Sequence, residues 1–278
     1  MIKNDPTKQE VLIMNKKNGI LVVSFGTSYE DTRKKTIGAI EAAIQKAYPH
    51  IPVYSAWTSR IIRTKLFKNT GEKIYSVEEA LAQMEKDGVS NVFVQTTHVI
   101  NGIEYESMKK DAAVWECHFD SIAFGKPLLS STEDMKELIC MIADEFSEII
   151  NSDKASETAL VLMGHGTEHH SNTGYAALDY MFKEMGYPNI HVGTVESYPS
   201  LTQIIPLLKN APVKTVHLAP LMIVAGDHAS NDMAGSSKNS WVSQLTYAGY
   251  DVTCHLKGLG QYSDVRRLFL KHLKEILS

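Results

Sequence analysis

Three segments in the second half of the chain each place a metal-ligating side chain directly after an apolar run. They are Met163-Gly164-His165-Gly166-Thr167, Val195-Glu196-Ser197-Tyr198-Pro199 and Ala225-Gly226-Asp227-His228-Ala229. In a parallel α/β sheet such runs are buried strands, and side chains just past their carboxyl ends converge on one crevice. His165, Glu196 and His228 stand 31 and 32 residues apart, one strand–helix unit each. Two imidazoles and a carboxylate form a candidate site for a divalent transition metal. Imidazole suits Co, Ni, Fe and Zn, whereas a purely carboxylate site favours Mg or Mn. Only three protein ligands leave coordination positions open, as a reactive site requires. Imidazole also titrates near neutral pH, so His165 or His228 can accept a proton. Gly164, Gly166 and Gly226, beside the ligands, are expected to let backbone approach a bulky ligand closely.

These residues need strands to hold them. Strand candidates are Ile20 to Phe25, Val53 to Trp57, Val92 to Thr97, Leu160 to Met163, His191 to Val195 and Val216 to Val224, with Ser121 to Phe124 and Asp251 to Leu256 closing each half. Amphipathic segments alternate with them, which predicts an α/β fold with parallel sheets and helices on both faces. Met135, Leu138, Ile139, Ile142, Phe146 and Ile149 keep helical spacing, and Ser131 with Asp134 gives a start signal for a helix from Met135 to Ile149. Val265, Leu268, Phe269, His272, Leu273 and Ile276 mark the last helix, Asp264 to Leu277.

The halves match in order. Ser24-Phe25-Gly26-Thr27 aligns with Gly164-His165-Gly166-Thr167 at an offset of 140, and Trp57-Thr58-Ser59 with Val195-Glu196-Ser197 at 138. His98 to Gly102 aligns with Met222 to Gly226 at 124, and Asp134 with Asp264 at 130. Four matches in sequence indicate an internal duplication. The expected organisation is an N-terminal α/β lobe over 1–130, a connecting helix over 131–152 and a C-terminal metal-binding lobe over 153–278, with the active cleft between lobes. On this alignment Phe25 replaces His165, Thr58 replaces Glu196 and Glu104 replaces His228, so one lobe carries the ligand set. Glu104, across the cleft, is the second candidate for proton transfer.

Composition narrows the function. With 28 basic and 32 acidic residues the net charge is −4, which gives no reason to expect nucleic acid. No apolar run approaches the roughly 18 residues of a membrane helix. The start, Met1-Ile2-Lys3-Asn4-Asp5-Pro6, lacks a signal-peptide core, which makes the cytoplasm the expected compartment. Cys117, Cys140 and Cys254 are too scattered for a C-x-x-C motif, so they are expected to be reduced, mostly structural thiols with no iron–sulfur cluster.

The strings VVSFGTSYEDT, THVINGIEYE, GHG, VESYP, HLAPLMIVAGDHASNDM and KGLGQY resemble the class II anaerobic cobalt chelatases, the sirohydrochlorin cobaltochelatases of vitamin B12 synthesis. The match runs from about Ile20 to the C-terminus. The resemblance implies two flavodoxin-like, chelatase-like lobes and ATP-independent insertion of Co(II) into sirohydrochlorin, with the metal as substrate. In agreement, the chain has no G-x-x-x-x-G-K-[ST] phosphate loop. It further implies that His165, Glu196 and His228 bind metal, that Glu104 is an acidic cleft position, and that Phe25, Gly26, Thr27 and Ser28 approach the macrocycle. Sirohydrochlorin is a polycarboxylate, so local basic residues are expected. Arg60 and Arg63 are the better candidates, because a guanidinium can hold a carboxylate bidentately.

Other readings stay open at this stage. Fe or Ni can replace Co in the same reaction. His165 in a GHG loop also has a likeness to histidine phosphatases, although Gly164 stands where their arginine would. A non-catalytic carrier of metal or tetrapyrrole is a third class, and a homo-oligomer is compatible with the sequence. His169 and His170 offer an H-x-x-x-H pattern with His165 but are read as a helix start, and His98 as a packed or hydrogen-bonded residue.

Overall fold

Strands buried on both faces need helices on both sides, and the order of elements supplies them. The computed structural model describes residues 17–278. The amino-terminal start read for a leader, and the first part of the 1–130 range, lie outside the described residues. The first half runs β1 (Asn18–Ser24), α1 (Glu30–Lys35), α2 (Ile37–Ala47), β2 (Val53–Trp57), α3 (Arg60–Thr70), α4 (Val77–Lys86), β3 (Asn91–Thr96), α5 (Ile103–Ala113) and β4 (Ser121–Phe124). The second runs α6 (Thr132–Glu145), α7 (Ser147–Ile150), β5 (Thr158–Gly164), α8 (Thr173–Glu184), β6 (Ile190–Thr194), α9 (Leu201–Lys209), β7 (Thr215–Pro220), a π-helical turn (His228–Met233), α10 (Trp241–Tyr247), β8 (Asp251–Cys254) and α11 (Ser263–Leu277).

Two parallel sheets result, ordered β2-β1-β3-β4 and β6-β5-β7-β8. Their identical order is the duplication in three dimensions. Register sharpens the alignment. Ser24 lies opposite Trp57, and Gly164 opposite Thr194. Thr58 N–H then donates to Ser24 and Ser59 N–H to Phe25, just as Val195 donates to Gly164 and Glu196 to His165. The counterpart of Glu196 is therefore Ser59, one residue beyond the expected Thr58. The third pairing holds, because Val23 faces Thr96 as Met163 faces Pro220, an offset of 124.

Each sheet has its own outer core. Leu21, Val23, Val92 and Val94 pack with Leu81 and Met84 of α4 and Met108 of α5. Val161, Met163, Val216 and Leu218 pack with Leu201, Ile204 and Leu208 of α9 and Trp241 and Leu245 of α10. The inner faces share one core, in which Ile20 and Val22 of β1 join Leu160 and Leu162 of β5 through α2, α6, α8 and α11. The closing helices exchange sides. α11, the last element, packs on α2 and β3 of the first sheet, while α6 packs on α8 and α7 on β5 of the second. Where they meet, buried Asp134 lies 3.1 Å from buried His272, with Lys271 at 3.4 Å.

Two elements and the cysteines depart most from the sequence reading. β7 stops at Pro220 rather than Val224, since proline has no N–H for the ladder. The chain beyond it is held instead by the N–H groups of Leu259 and Gly260 on Met222 and Ile223. The helix expected over Met135 to Ile149 starts at Thr132, with Ser131 Oγ capping Asp134, and breaks at Phe146, whose ring sits edge-on against His255. Finally, Cys117 and Cys140 are exposed and Cys254 half-buried, so two of the three thiols are not core residues. None is in a disulfide.

Candidate metal centre

All three C-terminal ligand candidates sit just past strand ends. His165 follows β5, Glu196 follows β6 by one residue, and His228 opens the π-helical turn after β7. One ligand atom from each lies within 4.8 Å of the others. The His165 and His228 Nε2 atoms are 3.1 Å apart, and a Glu196 carboxylate oxygen is 3.7 Å from His165 Nε2. Side-chain exposures of 44%, 54% and 33% leave the site open on one side.

The hydrogen bonds fix which nitrogens are available. His165 Nδ1–H donates to the Gly166 carbonyl at 2.8 Å, and His228 Nδ1–H donates to an Asp232 carboxylate oxygen at 2.7 Å. When both rings are neutral, both Nε2 atoms then carry lone pairs that a shared cation can accept. With metal–nitrogen bonds of about 2.1 Å, a 3.1 Å separation corresponds to a ligand–metal–ligand angle of roughly 95°. Two adjacent coordination positions fit that angle.

Asp232, which holds His228 through Nδ1, is a residue the sequence reading missed. Its signal was present: a carboxylate four residues after a ligand histidine shares its face on a helix. A single π turn is a frequent marker of a functional site. A carboxylate on the far nitrogen fixes the tautomer and strengthens the ligand.

The loop around His165 is closely packed. Gly166 has φ 88°, like its counterpart Gly26 at 103°. A Cβ on Gly164 would lie 2.5 Å from the buried Tyr175 ring, and one on Gly166 2.9 Å from the Ser197 nitrogen. These glycines therefore make room for Tyr175 and for the Glu196 turn, not directly for a ligand as expected. Burial pushes the Tyr175 hydroxyl up to about 12, against the pull of the Gly166 and His165 N–H groups that it accepts. Asn172 completes the support by taking the Thr167 N–H and donating to the Tyr198 carbonyl.

The remaining candidates divide. Phe25 is 43% exposed on the loop after β1, with buried Thr27 and half-buried Ser28 beside it. Gly26 sits against Trp57, where a Cβ would be 2.5 Å away. Arg60 opens α3, exposed and without an ion pair among the described residues. Arg63 instead pairs with Glu79 at 3.6 Å, and Arg33 with Glu72 at 2.7 Å while its guanidinium covers Trp57. Glu104 is exposed in the first turn of α5 and is not drawn into the three-residue group. His169 Nδ1 accepts the Ser171 N–H and caps a short 3-10 turn, so it serves a turn start. Burial depresses His98 to about 4, and its Nδ1 meets Thr96 Oγ1. It is a neutral packed residue.

A duplicated α/β frame whose C-terminal strand ends bring two free imidazole nitrogens and a carboxylate together defines a two-lobed metal-handling protein. The architecture is that of solved chelatases. SirB from Bacillus subtilis with Fe3+ superposes with a TM-score of 0.61 at 16% identity, covering 94% of this chain and 95% of that one. CbiX, the terminal enzyme of sirohaem biosynthesis in denitrifying bacteria, gives 0.56 at 14% identity over 94% of this chain and all of that one. Residues 18–278 match the model of the cobalt chelatase (CbiK) family, and the chain belongs to that family. Its relatives include the sirohydrochlorin cobaltochelatase of Salmonella typhimurium, 38% identical over 94% of this chain and 97% of the relative. The sirohydrochlorin cobaltochelatase CbiKC of Nitratidesulfovibrio vulgaris is 32% identical over 97% and 94%. This chain is a metal chelatase, and its metal is a substrate.

Proposed function

We propose that the protein inserts Co(II) into sirohydrochlorin, without ATP, in the cleft beside His165, Glu196 and His228. The observation that carries this reading is the meeting of the two Nε2 atoms at 3.1 Å with Glu196 alongside. His165 and His228 hold the ion in adjacent positions, and Glu196 supplies a third oxygen ligand. The remaining positions stay open, so pyrrole nitrogens can replace water one at a time. Transfer to the ring releases two pyrrole protons. His165, freed as the metal leaves, takes one, and Glu104 of the opposite lobe is the second acceptor. Phe25 to Ser28 line the ring's approach, and Arg60, without an ion pair among the described residues, is the candidate partner for a substrate carboxylate. No iron–sulfur cluster and no nucleotide enter this scheme. No described helix is long and apolar enough to cross a membrane, and the reading places the enzyme in the cytoplasm.

Iron or nickel can occupy the same ligand set, because selection among these ions depends on geometry and supply more than on affinity. The test is the absorbance change of sirohydrochlorin with protein and Co(II), Fe(II) or Ni(II) in turn. Fastest insertion with Co(II) is expected, and no acceleration over the protein-free rate with any ion would overturn the reading. Glu104→Gln is expected to slow insertion by about 100-fold while Co(II) binding is unchanged. An unaltered rate removes Glu104 from the mechanism.

A further inference from the structure

The two lobes touch on the cleft side at two points that the duplication makes equivalent. With Ser24 matched to Gly164, Thr27 corresponds to Thr167 and Tyr29 to His169. The local turns are the same: Thr27 Oγ1 accepts the Tyr29 N–H at 3.2 Å, and Thr167 Oγ1 accepts the His169 N–H at 3.2 Å. Each turn stands beside the third-strand loop of the other lobe, through Tyr29 on one flank and Ser171 on the other. The Tyr29 hydroxyl donates to Asp227 Oδ1 at 3.3 Å, an oxygen that also takes the Asn231 amide at 3.1 Å. Gly226 lies under this contact, where a Cβ would be 3.5 Å from Thr27 Oγ1 and 4.0 Å from the Tyr29 ring. On the other flank, a Cβ on Gly102, the counterpart of Gly226, would be 3.7 Å from Ser171 Oγ, which bonds His169 Nδ1 at 2.9 Å. Glu106, on the same helix as Glu104, is held below the usual carboxylate range first by Lys109, with His169 adding to the effect.

We propose that Tyr29 and His169 are a matched pair of positioning residues that set the width of the cleft for the macrocycle. The inference rests on the chelatase reading and adds to it. Tyr29 ties the Phe25 loop to the loop bearing His228, and His169 holds the turn whose Ser171 lies beside Gly102, the N-cap of the helix bearing Glu104. The shared inner core and exchanged helices already join the lobes at the back. Exposed polar contacts of this kind contribute little to folding. A planar ring held on both faces needs about 7 Å between facing atoms, two contacts of roughly 3.5 Å each. An error of about 1 Å in such a gap is costly to catalysis.

Tyr29→Phe removes only the hydroxyl, and His169→Asn keeps an acceptor for the Ser171 N–H while losing the ring. Sirohydrochlorin binding is read by absorbance titration without metal, and Co(II) binding by calorimetry without tetrapyrrole. Each variant is expected to weaken tetrapyrrole binding about fivefold, the double variant by about the product, with Co(II) affinity within about twofold of the parent. Unchanged tetrapyrrole binding in the double variant overturns the proposal. So does a parallel loss of Co(II) affinity, which would mean that the pair only shapes the ligand set. If the parent protein itself does not bind sirohydrochlorin, the chelatase reading fails as well.

Discussion

The first lobe and the second have the same strands in the same order, yet among the described residues only the second brings three side chains of metal-ligating type together. The difference lies in what each loop must do for its own helix. Ser59, counterpart of Glu196, is the N-cap of α3 and accepts the Ile62 N–H. In the second lobe the chain spends four more residues, Ser197 to Ser200, before α9 begins, and Ser200 caps that helix instead. The added turn releases Glu196 from capping and lets its carboxylate face the imidazoles. A similar contrast separates Glu104 from His228. Glu104 lies in a regular helix, whereas His228 opens a π turn that brings Asp232 onto its Nδ1. The two lobes thus differ at these positions by one longer loop and one wider helical turn, on sheets of the same strand order.

The contrast breaks most sharply at the ligands. His165→Ala and His228→Ala are each expected to lower Co(II) insertion by more than the roughly 100-fold that loss of an outer partner can cost. Phe25→Ala, at the equivalent of His165, should leave Co(II) affinity alone. Calorimetry with Co(II) checks both, and retained binding in His228→Ala would remove that histidine from the site.

The closing helices give the next largest effect. Asp134 and Asp264 are equivalent in sequence but not in surroundings: Asp134 is buried against His272, whereas Asp264 pairs with Arg267 at the surface. Burial raises the Asp134 carboxyl, but hydrogen bonds from Ser131, His272 and Lys271 outweigh it and leave the group below its ordinary value. A depressed carboxyl stabilises the fold above its unfolded-state pKa, and that contribution disappears as pH falls through the native value. Asp134→Ala is expected to cost about 3 kcal/mol at neutral pH and less in acid. Asp264→Ala should stay within about 0.5 kcal/mol. Urea denaturation at neutral and acidic pH checks the pair, and equal losses at the two sites would show that the exchange of helices gives Asp134 no special role.

Asp232→Asn tests the support of one histidine against the other. His228 leans on a carboxylate and His165 only on a carbonyl. The substitution keeps an acceptor but removes charge, and about a tenfold loss of Co(II) affinity is expected. No loss would make the two imidazoles equivalent ligands.

Much of this was legible in the residues. Apolar runs marked the eight described strands, and the residues just past three of them are the ones the structure brings together, because a parallel sheet leaves few places for a polar group at a strand end. The partner of each buried stripe was not legible. Leu268 and Phe269 state that α11 hides one face, but not that the face belongs to the first sheet. Periodicity encodes burial, and only tertiary packing decides against what. The match of Glu196 to Thr58 failed by one residue because loops of unequal length leave alignment free to slide, and hydrogen bonding to Phe25 and His165 settled it. Asp232 was hidden because its spacing from His228 acquires meaning only once the turn is known to be helical.

The smallest effect is the most discriminating for the loop argument. If Ser59 is a helix cap and nothing more, Ser59→Ala should cost about 1 kcal/mol of stability, the usual value for a lost N-cap. Co(II) affinity and tetrapyrrole insertion should both be unchanged. Ser59→Asp should restore the stability, since aspartate caps as well as serine and its charge suits a helix N-terminus. Glu196→Ala should behave in the opposite way, with stability near that of the parent and Co(II) binding weakened. A cap in one lobe and a ligand in the other would then be separated by two measurements on equivalent positions. Loss of metal affinity in Ser59→Ala would instead mean that the first lobe still contributes to the site through its ancestral position.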